Sequence, residues 1–269
     1  MLPLPAPYHQ ADAVLLAQGL TNYTYRLQLQ HKSYFYRQGI AQPESLFIDR
    51  AQERQALLLA EAAGLLPKIH YHSADGQQLI LDWCDDPSWQ MEYFASATGI
   101  TQLGQLAAQI HAIPARLKIL DLADYLQQLM AGLPSLSQTV RQRIEQQQAM
   151  LHALPVICPV FCHNDINPTN LLGMKPWLVD WEYAALGDPA FELAGICRAG
   201  QFDRQQQKAL VDSYQAAGGC CELNRVIQML MVVDVVSLLW CEKILLLRAE
   251  TQYHLLRQQL YWALGIAEV

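Results

Sequence analysis

Phe161-Cys162-His163-Asn164-Asp165-Ile166-Asn167-Pro168-Thr169-Asn170-Leu171-Leu172 spaces three polar residues as His-x-Asp-x-x-x-x-Asn. Ten residues after Asn170, the apolar run Trp177-Leu178-Val179 closes on Asp180. Phosphoryl transfer from a nucleotide needs these residue types: a carboxylate beside the attacking hydroxyl, and oxygen ligands that hold Mg²⁺ across the phosphates. Asp165 is the candidate base, orienting the hydroxyl and accepting its proton late. Asn170 and Asp180 are the candidate ligands, since Mg²⁺ takes one or two carboxylates and oxygen donors while keeping some waters. His163 reads as a brace for the loop. The competing reading is a polar loop whose Asp and Asn side chains only make turns, and a strand-terminal Asp shortly downstream weighs against it.

The chain around this stretch has 269 residues, 52% hydrophobic and 16% charged, with a formal net charge of −7. The length favours one large domain or two lobes. The low charged share, against a typical value of roughly 25%, allows a sizeable core and excludes overall disorder. An acidic chain without a Lys/Arg run has no global electrostatic drive toward nucleic acid or anionic membrane. The start, MLPLPAPYHQ, lacks the positive segment of a signal peptide. Met229 to Cys241 is apolar but short and contains Asp234, so it reads as a buried helix and not a bilayer span. Seven cysteines without CxxC spacing point to reduced thiols and a cytoplasmic protein. Cys158, Cys162 and His163 offer a metal no fourth ligand. His70 and His72 share a strand face but lack an evident carboxylate partner.

Tyr23–Leu29 and Ser33–Arg37 read as strands joined by a polar turn at 30–32, and 68–71 and 78–83 as two more. Between them, Glu44 to Ala63 has helical spacing and Gly64 sits at the stop. After a linker at 84–88 the pattern turns helical, with helices at 100–113, about 121–131, 135–153, 203–217 and 226–264. Two short strands fall within 156–180. A small strand-rich lobe, 1–83, joined to a helical lobe, 84–269, implies a ligand cleft near 81–88.

FCHND followed by Asn170 resembles choline and ethanolamine kinases, and LVDWEYAALGDPAFELA from Leu178 to Ala194 is similar to bacterial choline kinase-like and thiamine kinase proteins. These belong to the aminoglycoside phosphotransferase and choline kinase superfamily. The resemblance implies an α+β, two-lobed protein-kinase-like fold, with a small antiparallel sheet and a larger, mostly helical lobe. It also implies a phosphate-covering turn at Gly19-Leu20-Thr21-Asn22-Tyr23, where Gly19 permits a tight backbone and Thr21 and Asn22 donate hydrogen bonds. Read alone, that segment is also an ordinary hairpin turn. Alternation puts Phe35 and Arg37 on one face of their strand. Choline kinase-like proteins use an Arg at this place, whose fork suits phosphate oxygens. Glu53 resembles the family's Arg-pairing Glu. The bland alternatives are a solvated Arg at a strand end and one more exposed helix charge.

Glu182, Tyr183, Asp188 and Glu192 read as an acidic, aromatic patch suited to a cationic substrate. For Asp188 the favoured reading is a helix N-cap before Pro189. Trp240 is either core packing or one wall of an aromatic cage for a cation. Choline kinases carry a second Trp three residues earlier, where this chain has Ser237, which leaves room for a flatter cation such as thiamine. The expectation is an ATP- and Mg²⁺-dependent kinase acting on a hydroxyl of a small cationic metabolite, choline or ethanolamine first and thiamine second. Aminoglycoside-type kinases, a catalytically silent nucleotide- or metabolite-binding module and an interaction protein using helix 226–264 are the alternatives.

Overall fold

The computed structural model describes residues 2–19, 21–40, 43–133, 135–247 and 251–266. Leu20 of the expected phosphate turn lies outside them. The chain forms two compact units: Met1–Phe94 with Ile113–Lys118 and His163–Ala185, and Ala95–Ala112 with Ile119–Cys162 and Leu186–Val269. The stretch from His163 to Ala185 thus packs with the N-terminal sheet, whereas a single division at 83/84 was expected.

Five antiparallel strands make that sheet: β1 (Asp12–Gln18), β2 (Asn22–Leu29), β3 (Lys32–Gly39), β4 (Ile69–His72) and β5 (Gln78–Asp82), in the order β1-β2-β3-β5-β4. A hairpin turn at 19–23 implies a strand before it, and β1 is that strand; its bounds were not given, because Ala13-Val14-Leu15-Leu16-Ala17 has no apolar/polar alternation to mark them. It is an edge strand, exposed throughout. The β2–β3 hairpin turns at Gln30, whose φ of 55° is left-handed. The two faces of the sheet serve different ends. Leu27, Tyr36 and Ile80 pack with Tyr8 into a buried cluster on one side. Thr24, Phe35, Arg37, Leu79 and Leu81 line a cavity on the other.

The helix expected over 44–63 is interrupted. Pro43–Leu46 is a 3-10 turn, Phe47 has a φ of 61°, and the α-helix α1 spans Arg50–Ala62. The cause is Asp49, whose side chain accepts the N–H groups of Ala51 and Gln52 and so starts the helix there. Gly64 follows its end with a left-handed φ of 69°, the conformation a helix stop asks of glycine.

Past the short helix α2 (Met91–Phe94) come α3 (Ala97–His111), α4 (Leu122–Ala131), α5 (Gln138–Ala153) and a strand β6 (Val160–Cys162). β7 (Leu171–Leu172) and β8 (Trp177–Leu178) pair as a small antiparallel hairpin. Helices α6 (Pro189–Ala199), α7 (Arg204–Ala216), α8 (Leu223–Leu247) and α9 (Thr251–Ala263) complete the second unit. Asp188 caps α6 by accepting the Ala190 N–H, with Pro189 in the first turn as its sequence foretold. The single helix expected over 226–264 is two, and residues 248–250 lie outside the described ones. Met229, Val232, Val233 and Val235 of α8 are buried core, and no described helix is long and apolar enough to cross a membrane.

Candidate active site

His163 organises the loop that carries Asp165. Its Nδ1 accepts the Asp165 backbone N–H at 3.1 Å and its Nε2 lies 3.0 Å from the Val179 carbonyl. A nitrogen that accepts at Nδ1 leaves the proton on Nε2, so this pairing selects the neutral Nε2–H tautomer. The ring is fully buried and meets Trp181 edge-on at 4.7 Å. His163 therefore braces the loop against the strand leading to Asp180.

The Asp165 carboxylate is aimed by two amides. Asn167 Nδ2 donates to Oδ1 at 3.0 Å and Asn170 Nδ2 to Oδ2 at 2.9 Å. Asn170 also donates to the Asp165 backbone carbonyl at 2.9 Å, so its amide nitrogen is spent and its Oδ1 is left as an acceptor or ligand. The hairpin of β7 and β8 sets Asn170 beside Asp180, with the Val179 N–H donating to the Asn170 carbonyl at 2.9 Å. Asn164 and Asp180 both hold left-handed φ angles, 65° and 67°. Such conformations cost a non-glycine residue energy and gather at functional sites.

Asp180 is half-buried, and loss of water pushes its carboxyl well above the usual range. Glu182, Asp165 and Glu53 push it the same way, while Arg37 opposes them. A dication would reverse that balance, and the donors beside it, a carboxylate and an amide oxygen, are the hard oxygen type that Mg²⁺ prefers.

Arg37 stands on central strand β3, paired to Thr24 and Leu79 on its two neighbours. Its guanidinium is 4% exposed and forks onto Glu53: Nη1 bonds Oε1, and Nη2 lies 3.0 Å from Oε2. Burial works against the Glu53 carboxylate, but Arg37 and then Arg50 hold it below the ordinary value. The solvated readings of Arg37 and Glu53 are thus replaced by a buried pair. Gly19, Thr21, Asn22, Arg37, Asn170 and Asp180 all line one cavity of about 240 Å³. Apart from Thr24 its remaining walls are apolar, among them Phe35, Leu57, Leu66, Leu79 and Leu81. Leu81 is its one contribution from the 81–88 stretch where a cleft was expected.

The acidic patch expected to draw a cation needs correction, because its carboxylates have other partners. Glu182 Oε2 takes Asn22 Nδ2 at 3.0 Å and Arg50 Nη1 at 3.3 Å. Asp188 caps α6 and pairs with Arg225 at 2.7 Å. Glu192, 2% exposed, lies 2.8 Å from His111 Nε2, while His111 Nδ1 meets the Tyr214 hydroxyl at 2.7 Å. Cys162 Sγ is 3.7 Å from the same His111 nitrogen. This His–Glu–Cys cluster was invisible in the sequence, where its members lie far apart. Tyr183 contributes its carbonyl to Asn164 Nδ2 at 2.9 Å, and Trp240 is half-buried on α8. His70 does have a carboxylate partner, Asp82, at 2.6 Å. Sequence reasoning also passed over Arg50 and Asn167. Arg50 had a signal in its i, i+3 spacing to Glu53 on one helix face.

The chain shares its fold with the choline kinase LicA from Streptococcus pneumoniae at a TM-score of 0.82 and 19% identity, covering 95% of this chain and 94% of that one. A choline/ethanolamine kinase family protein from Mesorhizobium loti gives a TM-score of 0.78 and 20% identity over 98% and 90% of the two chains. Among curated proteins, a LicA homolog of Mycoplasma capricolum is 39% identical over 54 residues, 19% of this chain and 23% of that protein. The chain spans less than a quarter of the length of the first curated relatives it matches. The model of the phosphotransferase enzyme family matches residues 12–229, which is most of the sequence, and the chain belongs to that family.

Proposed function

We propose that the chain is a small-molecule kinase that transfers a phosphoryl group from ATP, with Mg²⁺, to a hydroxyl of a small metabolite. The observation that carries this reading is the convergence of Thr21, Asn22, Arg37, Asn170 and Asp180 on one cavity, with Asp165 bonded to Asn170 beside it. The apolar walls suit a base, and the polar side suits phosphates.

In this reading Asp180 and the Asn170 Oδ1 hold Mg²⁺, which would neutralise charge developing on the transferred group. Arg37, kept rigid by Glu53, meets phosphate oxygens with the guanidinium edge that the carboxylate leaves open. Thr21 and Asn22 shape the wall beside the phosphates; the Asn22 amide nitrogen, expected to donate to them, is spent on Glu182 at 3.0 Å and the Thr21 hydroxyl at 2.9 Å. Asp165 orients the acceptor hydroxyl and takes its proton, and its aim is fixed by the two Asn amides so that little reorganisation is needed. His163 keeps that loop in register with the Asp180 strand.

For the acceptor, choline or ethanolamine ranks first and thiamine second. Support comes from the likeness to proteins described as choline and ethanolamine kinases, together with the aromatic Trp240. ATP consumption measured with Mg²⁺ across choline, ethanolamine, thiamine, homoserine, methylthioribose and aminoglycosides tests it. Acceptor-dependent turnover with one of the first three supports the reading. Turnover only with an aminoglycoside would replace the acceptor class, and nucleotide binding without any turnover would favour a silent module.

A further inference from the structure

The Arg50 side chain makes four hydrogen bonds beside the cavity without lining it. Its side chain is 5% exposed. Nη1 donates to Glu53 Oε2 at 2.8 Å and to Glu182 Oε2 at 3.3 Å. Nη2 donates to Asn22 Oδ1 at 2.8 Å and to the Thr21 carbonyl at 3.3 Å. The ring is closed by Asn22 Nδ2, which donates to the same Glu182 oxygen at 3.0 Å. Three pieces of chain meet there: helix α1, the turn before β2, and the segment two residues past Asp180. Gly76 makes the close approach possible, since a Cβ on it would sit 2.5 Å from the Arg50 Cβ, and its φ is 72°.

We infer that Arg50 and Glu182 form a positioning strut that ties Thr21 and Asn22 to the segment carrying Asp180, before any nucleotide arrives. The inference rests on the nucleotide reading of the cavity. Neither residue touches the ligand; both act through neighbours that do. Arg50 fixes Asn22 and Thr21 from their acceptor side, and Glu182 takes the Asn22 amide from its donor side. Through Glu53, Arg50 also steadies the partner of Arg37. Within the strut two arginines, 37 and 50, face two glutamates, 53 and 182, with Asp180 as a further acid beside them. A lysine at 50 would keep the charge but could not reach both sides of the ring with one ammonium group. Glu182 therefore belongs with the phosphate turn and not with the acceptor.

The test uses the full chain as wild type, Arg50→Lys, Glu182→Gln and the double variant, with two readouts. The first is hydrogen exchange at the amides of Gly19 and Ile40, which bond the Asn22 and Thr21 carbonyls at 2.8 and 3.1 Å. The second is the Kd of a non-hydrolysable ATP analogue with Mg²⁺, set beside the KM of ATP and of the acceptor. Each single variant should exchange these two amides about tenfold faster, with the β3–β5 amides unchanged, and should weaken the analogue about tenfold, the loss of one bond to a charged group. The acceptor KM should move less than about twofold, and the double variant should be no worse than the poorer single. Unchanged exchange in folded variants overturns the strut. So does faster exchange with unchanged analogue affinity, because the turn would then be loosened to no effect. Wild-type protein that does not bind the analogue at all sinks the nucleotide reading itself, whatever the exchange shows, and the strut's purpose with it. If the Lys or Gln variants do not fold, Glu182→Asp keeps the charge and shortens the reach, and the same two readouts decide.

Discussion

Replacing Glu53 by Leu should separate what the buried arginines cost from what they do. The Glu53 carboxylate is fully buried and accepts from both nitrogens of Arg37 and from Arg50. Without it Arg37 keeps, among these bonds, only the Gly76 carbonyl at 3.5 Å, whereas Arg50 still has Glu182, Asn22 and Thr21. The loss is therefore mainly that of one stranded buried charge, about 3–5 kcal/mol. Arg37→Met should cost less, about 1–3 kcal/mol, because Glu53 retains Arg50. Removing both together leaves no stranded charge, and apolar groups of similar volume are often neutral in such a place. The double variant should then recover at least about 2 kcal/mol of the summed losses, a coupling at the upper end for residues in contact. Urea unfolding followed by circular dichroism measures each term, provided the m-values agree. Turnover should behave differently: the double variant regains stability while ATP-dependent activity stays lost with Arg37. The pH dependence has a definite sign. Arg37 and Arg50 hold the Glu53 carboxyl below its ordinary value of 4.5, so its contribution is present above that value and fades as pH falls through the lower folded one. Losses that simply add, to within about 0.5 kcal/mol, would mean that Arg37 and Glu53 do not share the energetic bond their geometry implies.

Asp165→Asn should leave stability and nucleotide affinity nearly intact and lower kcat by about 10²–10⁴, the worth of a positioned acid-base group; full turnover would remove Asp165 from the chemistry. Asp180→Asn should abolish Mg²⁺-dependent activity yet raise the metal-free Tm. Burial and Glu182 raise its carboxyl in the folded state, so its contribution to stability is lost as pH rises through that raised value. Mg²⁺ should then raise the Tm of wild type but not of the variant, and a metal-insensitive wild type would dismiss Asp180 as a ligand. Glu192→Ala should cost about 1–3 kcal/mol by leaving His111 short of a partner, with the acceptor KM unchanged; a raised KM at full stability would return Glu192 to the acceptor site. Trp240→Ala should weaken a cationic acceptor by about 0.5–2 kcal/mol and spare its neutral isostere, and equal losses for both would make Trp240 packing.

The elements that position the site were legible wherever local chemistry decides local structure. The strands at β2, β3, β4 and β5 show alternating or β-branched and aromatic runs, and the Asp188-Pro189 pair marks the start of α6 because cap and first turn are set by neighbours in sequence. The His163–Asp165–Asn170 stretch was legible for the same reason, since the bonds that set its spacing fall within one loop and the strand that follows it. The extent of β1 was not legible because an edge strand exposed throughout need not alternate. The early part of the 44–63 helix misled because Leu46 and Phe47 keep helical spacing while Asp49 draws the N–H groups that start α1 after them.

The carboxylates failed for a different reason, and it bears on how such a site should be read. Glu182, Asp188 and Glu192 lie within a short stretch, so the sequence gives three negative charges in a row and invites a cationic ligand. Sequence proximity says nothing about direction. Each of the three finds an internal cation or donor within its own unit: Arg50, Arg225 and His111. Those partners lie far away along the chain, and nothing local announces them. Yet a buried carboxylate without a partner is too costly to keep, so each acid counted for a ligand has first to be discounted for the arginines and histidines that the core can bring to it. Arg50 is where that reasoning leads. Buried three residues before Glu53 on one helix, it takes Glu182 as a second carboxylate partner, and that pairing removes Glu182 from the acids free to meet a ligand.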